Sequence, residues 1–122
     1  MKLPKTLRNL TPHPVTIITE IGSVQLLPEP GPRPHIDEMR EITGHVFVED
    51  MPVPTVRITA GSAVDLPEPE PNTLLIVSRV IAEARPDRTD LLVPYDLVRD
   101  EAGRVVACRS LARVTIAGDP RS

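Results

Sequence analysis

The chain has 122 residues, of which 40% are apolar and 25% are charged. These values are typical of one globular domain that folds without a disulfide or a metal, so we expect a single domain over residues 1–122. The net charge of −3 and the scarcity of aromatic residues argue against nucleic-acid binding, which favours basic surfaces and stacking rings. A lone cysteine, an N-terminus without an apolar signal core and only short apolar runs indicate a cytoplasmic protein without a membrane span.

Fifteen prolines divide the sequence into short segments, because proline breaks helix interiors. The segments between them are rich in β-branched and aliphatic residues, which pack well on a pleated sheet. The predicted strands, in chain order, are Val15–Thr19, Ser23–Leu27, Val46–Glu49, Thr55–Thr59, Leu74–Val77, Leu91–Val93, Val105–Arg109 and Leu111–Ile116. Many short strands with turn signals between them predict a mostly β protein, a small barrel or sandwich with one or two short helical segments.

Two segments are candidates for helix. Ile36, Met39 and Ile42 recur every three residues, which fits either a helix that ends near Gly44 or an irregular edge strand, and both interpretations stay open. Residues 78–85 (SRVIAEAR) have a helical composition and precede a proline, so a short helix is expected there. The sequence DEAG at residues 100–103 predicts the loop of a β-hairpin.

Residues 14–32 and 54–71 resemble each other. Each begins with a strand-like run, passes through a Gly-Ser pair into a second short run, and ends in Leu-Pro-Glu-Pro. Two related hairpins in a pseudo-symmetric barrel are one interpretation, and chance recurrence in a proline-rich composition is the other.

Polar side chains that could hold a ligand are concentrated between Ser78 and Arg109, where arginines and carboxylates interleave. A guanidinium fork grips phosphate or carboxylate groups, although exposed ion pairs produce the same pattern. His13 follows Asn9 and Thr11, whose side chains are expected to fix a turn, and its ring could also face a ligand. The candidate binding residues are His13, Arg79, Arg88, Asp90, Tyr95, Arg99 and Arg109.

Catalytic residues are not assigned, because the sequence contains no glycine-rich phosphate loop, metalloprotease motif or nucleophile elbow. Cys108 lies on a predicted strand without a neighbouring histidine and is expected to be a small buried side chain. The three histidines and Cys108 lack the paired spacing of zinc ligands, so neither a metal nor a cofactor is predicted.

The segments NLTPHPVTI, LPEPEPNTLLIVSRVIAEA and RTDLLVPYDLVRDEAGRVVACRSLAR resemble a group of short, uncharacterised bacterial proteins that occur in actinobacteria and in phages or other mobile elements. The resemblance covers most of the chain and is weakest over residues 33–53. It implies a bacterial, intracellular origin and carries over no activity, cofactor or site residue.

Three functions are compatible with these features. The preferred one is a non-enzymatic binding or regulatory module that captures a protein or a small anionic ligand, because it requires no catalytic motif. A second is a structural subunit of a homo-oligomer. A third is a small hydrolase or transferase acting on a phosphorylated or nucleotide-like substrate. The candidate parts of that enzyme are Arg79, Arg88 and Arg99 as anion clamps, Asp90 or Asp96 as general base, and His13 as acid or base.

Overall fold

The computed structural model describes residues 5–115 and residue 117. Strands make up 56% of this structure, and one small helix accompanies them within the described residues. A curled half-barrel sheet and a second sheet form the fold, which confirms the predicted mostly β class, a small barrel or sandwich. The elements are β1 (Thr6–Asn9), β2 (Val15–Thr19), β3 (Gly22–Leu26), β4 (His35–Val48), β5 (Met51–Val64), β6 (Thr73–Ile76), α1 (Arg79–Ala84), β7 (Leu91–Arg99) and β8 (Val105–Ala112). Ile116, the predicted end of the last strand, lies outside the described residues.

The larger sheet has six strands in the order β1-β6-β7-β8-β2-β3. β7 and β8 pair antiparallel, as do β2 and β3, whereas β1–β6, β6–β7 and β8–β2 are parallel. Parallel strands that follow each other in the chain need a crossover, and α1 supplies it between β6 and β7. The predicted hairpin loop is confirmed: Gly103 adopts a φ of +83°, and the Asp100 amide donates to the Arg104 carbonyl over 2.9 Å.

The core is aliphatic and centres on β6. Leu75, Ile76 and the following Val77 are almost completely buried, as expected of a short apolar run in the middle of a sheet. On one side this strand packs with Ile81 of α1, and on the other Ile76 packs with Val15, Ile17 and Cys108. The two clusters fix the curvature of the six-stranded sheet against the helix.

The short helix predicted over residues 78–85 is confirmed as α1. It begins after Ser78, buries Ile81 and Ala82, and ends at Arg85, which leaves the helical region. Pro86 accounts for this end, because a proline disfavours helical backbone in the residue before it. No helix of the described residues is long and apolar enough to cross a bilayer.

Strands β4 and β5 form a separate two-stranded sheet, which we call the arm. Its tip is a two-residue turn at Glu49 and Asp50, with φ values of +50° and +66°. Positive φ at both residues is typical of two-residue turns, because it matches the right-handed twist of the two strands that the turn joins. Residues 36–42 are therefore strand, which settles the alternative left open by the sequence. Residues 38–42 pair with β5 without interruption, and the irregularities in pairing lie on either side of them, between Ile36 and Glu38 and between Ile42 and Gly44. Met39 and Ile42 therefore face opposite sides of the ribbon, and their three-residue spacing does not mark one buried face.

The interpretation of residues 14–32 and 54–71 as two hairpins is wrong for the second segment. The first contains the β2–β3 hairpin, but residues 54–64 run through β5 without a turn. At Gly61 an added Cβ would lie 2.8 Å from the Asp37 carbonyl oxygen. This glycine therefore permits the close approach of β4 and β5 rather than a reversal of the chain.

Candidate functional site

A cleft of about 840 Å³ opens beside the β7–β8 hairpin. It is lined by four stretches of chain, at residues 11–16, 77–79, 93–97 and 105–108. Three of them come from the six-stranded sheet and its connections to α1, and the fourth is the loop between β1 and β2. The volume falls within the roughly 300–1,000 Å³ that is typical of ligand pockets.

The lining of the cleft is mainly apolar. Val77 and Val93 form a buried part of the wall and are 1% and 4% exposed. Towards solvent the wall continues with Leu97, Val105 and Val106, each of which is about half exposed. These apolar side chains remain in contact with water on two paired strands and form a continuous apolar lining on this side of the cleft.

The loop that closes one side of the cleft is held by Asn9, which is only 2% exposed. Its Nδ2 donates to the carbonyls of His13 and Leu26, each over 2.9 Å, and its Oδ1 accepts the Thr11 amide over 3.0 Å. Arg33 adds a hydrogen bond from Nη1 to the Thr11 carbonyl over 2.9 Å. The turn-forming role predicted for Asn9 and Thr11 is thus confirmed, and it places His13 at the rim of the cleft.

Three of the seven candidate binding residues meet at this cleft: His13, Arg79 and Tyr95. Tyr95 is 56% exposed, and the ring of this only tyrosine is available for contact. The Arg79 Nε donates to Glu83 Oε1 over 2.9 Å, one helical turn along α1. Glu83 offsets much of the positive charge that Arg79 brings to the rim.

Arg88 and Asp90 do not line the cleft but form an ion pair with each other. The Arg88 Nε and Nη2 each donate to an Asp90 carboxylate oxygen over 2.8 Å, and Nη2 also donates to the Pro67 carbonyl over 2.9 Å. The two side chains are only 7% and 13% exposed. The hydrogen bonds from Arg88 hold the pKa of Asp90 below its ordinary value of 3.8, and burial opposes this effect.

Arg99 and Arg109 also lie outside the cleft lining. Arg99 donates from Nη1 to the Gly103 carbonyl over 2.9 Å and so braces the hairpin loop. Arg109 is exposed and follows the buried Cys108 on β8, so it faces the opposite side of the sheet. The anion clamp of three arginines expected for an enzyme is therefore not assembled, since only Arg79 lies at the cleft.

Sequence reasoning did not find the apolar wall of the cleft. The signal for it is the pair Val105–Val106, because two adjacent apolar residues on a strand cannot both point into one core. Asp96 also lines the cleft and adopts a φ of +55°, a left-handed conformation that turns residues 95–97 together toward the opening. A conformational exception of this kind cannot be read from the sequence.

Cys108 belongs to the core although it touches the floor of the cleft. It is 1% exposed, and burial raises the pKa of its thiol. This environment suppresses the thiolate, as expected for a structural cysteine. Within residues 5–115, no group of three or more His, Cys, Asp and Glu residues is arranged to hold a metal ion.

A second cavity of about 370 Å³ lies beside Arg8 and two proline-rich linkers, residues 27–32 and residues 66–71. Arg8 donates from Nε and Nη2 to the Glu29 carboxylate over 2.9 and 3.0 Å, and from Nη1 to Glu70 Oε1 over 2.8 Å. The hydrogen bonds from Arg8 lower the pKa of Glu29. Because two carboxylates already neutralise this guanidinium, the cavity is a junction that ties the linkers together rather than an anion site.

No protein-family model, curated protein or solved structure matches this chain. Its function is therefore inferred from its own residues.

Proposed function

We propose that the protein is a non-enzymatic binding module whose cleft captures an apolar segment of a partner protein. The observation that carries this proposal is the half-exposed apolar wall of Leu97, Val105 and Val106 beside the exposed ring of Tyr95. Tyrosine next to aliphatic side chains is a typical composition for the centre of a protein interface.

The charges around the cleft favour a protein segment over a small anion. Arg79 is paired with Glu83, and Asp96 adds a further negative charge to the lining. An anionic ligand would have to displace the first carboxylate and approach the second. An apolar peptide gains instead from every side chain of the wall that it covers, at roughly 25 cal/mol for each Å² removed from water.

Selection of a displayed random peptide library on the purified protein tests the proposal. We expect peptides rich in apolar and aromatic residues, whose binding shifts the amide resonances of residues 95–97 and 105–108. Leu97→Asp should weaken the selected peptides at least about tenfold, because it places a charge in the desolvated wall. Val24→Asp is the matched control, since Val24 on β3 is 49% exposed, against 45% for Leu97, and lies outside the cleft lining.

Three results would contradict the proposal. One is the absence of any enriched peptide, and another is equal binding by the wild type and Leu97→Asp. The third is a small molecule that is retained in the native mass spectrum and contacts Arg79, which would favour the small-ligand alternative. Turnover of a phosphorylated substrate that is abolished by a substitution at His13 or Asp96 would instead support the enzyme.

A further inference from the structure

The arm exposes an unusual amount of apolar surface. Phe47, the only phenylalanine of the chain, is 73% exposed, while Ile42 and Ile58 are 64% and 61% exposed. The exposed large apolar residues of the arm are Met39, Ile42, Val46, Phe47, Val48, Met51, Val53, Val56 and Ile58. They are divided between the two faces of the ribbon, and each face presents on the order of 400–500 Å², as large as the largest apolar patch of a usual monomer.

The two faces of the arm differ. Cross-strand pairs place Phe47 with Pro52, Ile42 with Val56 and Arg40 with Ile58 on one side, which we call the Phe47 face. The opposite face begins with apolar pairs at the tip but is then interrupted by polar ones. On this face the Thr43 Oγ1 lies 3.2 Å from the Thr55 Oγ1, and the Arg57 Nη1 donates to Glu41 Oε1 over 2.8 Å. The Phe47 face is therefore the side that is apolar along most of its length.

The arm is attached to the rest of the protein only near its base. Ile36 and Ala63 pack against the core cluster of Leu75 and Ile81. From residue 37 to residue 62, all residues except Gly44 and Thr55 are exposed. A two-stranded ribbon without a covered face is marginally stable in water, so a partner that covers one face would stabilise the arm.

We propose that the Phe47 face binds the Phe47 face of a second copy of this chain, with the two arms antiparallel about a two-fold axis near His45 and Pro54. Such an axis brings Ile42 of one copy beside Phe47 of the other. It also brings Arg40 beside the acidic tip formed by Glu49 and Asp50. Within the described residues, Arg40, Glu49 and Asp50 form no ion pair inside their own chain. The face is thus complementary to itself in apolar character and in charge, as a two-fold interface requires.

The area of this face also fits a second copy. The Phe47 face contains five cross-strand pairs, from Glu38–Ala60 to Phe47–Pro52, and all ten residues are exposed. At on the order of 80 Å² for each side chain, the face offers on the order of 800 Å², the usual contribution of one partner to a stable interface. The inference does not rest on the proposed function, because the Phe47 face and the cleft share no residue.

Sedimentation velocity of the full chain, from micromolar to several hundred micromolar, tests the proposal. We expect a dimer with about twice the 13.4 kDa mass of one chain. Phe47→Ser should raise the dissociation constant at least about tenfold, because it removes an aromatic anchor from the centre of the interface. Val48→Ser, which changes the neighbouring residue on the opposite face, should leave the dissociation constant nearly unchanged.

Reversing the charges of the interface tests the antiparallel arrangement of the two arms while all apolar side chains of the Phe47 face stay in place. Arg40→Glu and Glu49→Lys should each weaken the dimer, because each places like charges together across the axis. The double variant should recover most of the lost affinity. Glu49 has a left-handed backbone, which glutamate and lysine tolerate equally poorly, so the exchange adds no new strain.

Four results would overturn the inference. They are a monomer at all concentrations, equal effects of Phe47→Ser and Val48→Ser, no recovery in the double charge variant, and a dimer that dissociates with Leu97→Asp. The last would show that the arm occupies the cleft of the second copy. If Leu97→Asp abolishes peptide binding but leaves the dimer intact, the arm and the cleft are two independent binding surfaces.

Discussion

The region between α1 and β7 contains two ion pairs of the same local design, and their comparison gives the sharpest prediction about stability. Arg85 contacts Asp87, and Arg88 contacts Asp90, in each case through Nε and Nη2 to the two carboxylate oxygens at 2.8–2.9 Å. They differ in burial and in the additional hydrogen bond that Arg88 donates to the Pro67 carbonyl. The side chains of the first pair are 38% and 40% exposed, whereas those of the second are 7% and 13% exposed.

Arg88→Ala should lower the free energy of unfolding by about 3–4 kcal/mol, because it leaves the buried Asp90 carboxylate unpaired and the Pro67 carbonyl without its donor. Arg85→Ala should cost about 0.5 kcal/mol, the usual worth of an exposed pair. Arg88→Lys keeps the charge but loses the bidentate geometry, so its effect should lie between these values.

Urea unfolding followed by far-ultraviolet circular dichroism measures these differences. A double-mutant cycle with Asp90→Ala should give a coupling energy of about 2–3 kcal/mol for the buried pair. The corresponding cycle for Arg85 and Asp87 should give a coupling energy below about 1 kcal/mol. Equal losses for Arg88→Ala and Arg85→Ala would refute the reasoning, because they would show that burial does not determine what the pair contributes.

Three further predictions concern the loop, the carboxylate and the thiol. Asn9→Ala should cost about 2–3 kcal/mol in urea unfolding, against about 1 kcal/mol for Thr11→Val, because it removes the side-chain donor to the Leu26 carbonyl and the side-chain acceptor of the Thr11 amide. The His13 carbonyl keeps its hydrogen bond from the Thr11 hydroxyl. Equal losses would contradict the role of Asn9. Because the pKa of Asp90 is lower in the folded state, its contribution to stability is complete above the ordinary value of 3.8 and is lost as the pH falls through the folded pKa. The unfolding free energy of the wild type should therefore fall below about pH 4 more steeply than that of Asp90→Asn, and parallel acid titrations would refute this. The Cys108 thiol should react with an aromatic disulfide reagent only as fast as the protein opens, because it is 1% exposed and burial raises its pKa; rapid labelling of the native protein would contradict this assignment.

The elements that sequence reasoning located correctly depend on neighbouring residues alone. Pro86 ends α1, the DEAG loop with Gly103 reverses the chain, and Asn9 closes a turn through its own side chain. Strand β1 was not anticipated, because its sequence Thr6–Asn9 has one apolar residue and a charged one. It is a strand because it pairs with β6, and pairing partners distant in the chain are not encoded in a local pattern.

The candidate site was only partly predictable. His13, Arg79 and Tyr95 come from three different segments, and the curled sheet brings them to one cleft. Each was selected for its chemistry, and nothing in the linear sequence distinguishes these three from Arg99 or Arg109. The half-exposed apolar wall was missed because the exposure of a strand residue depends on what packs above it.

By itself, the sequence determined the mostly β class, through its prolines and β-branched residues, and the positions of the DEAG turn and of the helix. Only the tertiary structure decided that residues 36–42 are strand, because they pair with residues 56–63 of β5, and this pairing is not encoded in their local pattern. The tertiary structure also decided what the two arginine–aspartate pairs contribute. Both have the same spacing in RPDRTD, but the Pro67 carbonyl and the sheet enclose Arg88 and leave Arg85 in solvent. Two charges attract each other more strongly where the fold excludes water from around them. The residues that exclude the water from the Arg88–Asp90 pair are distant in the sequence.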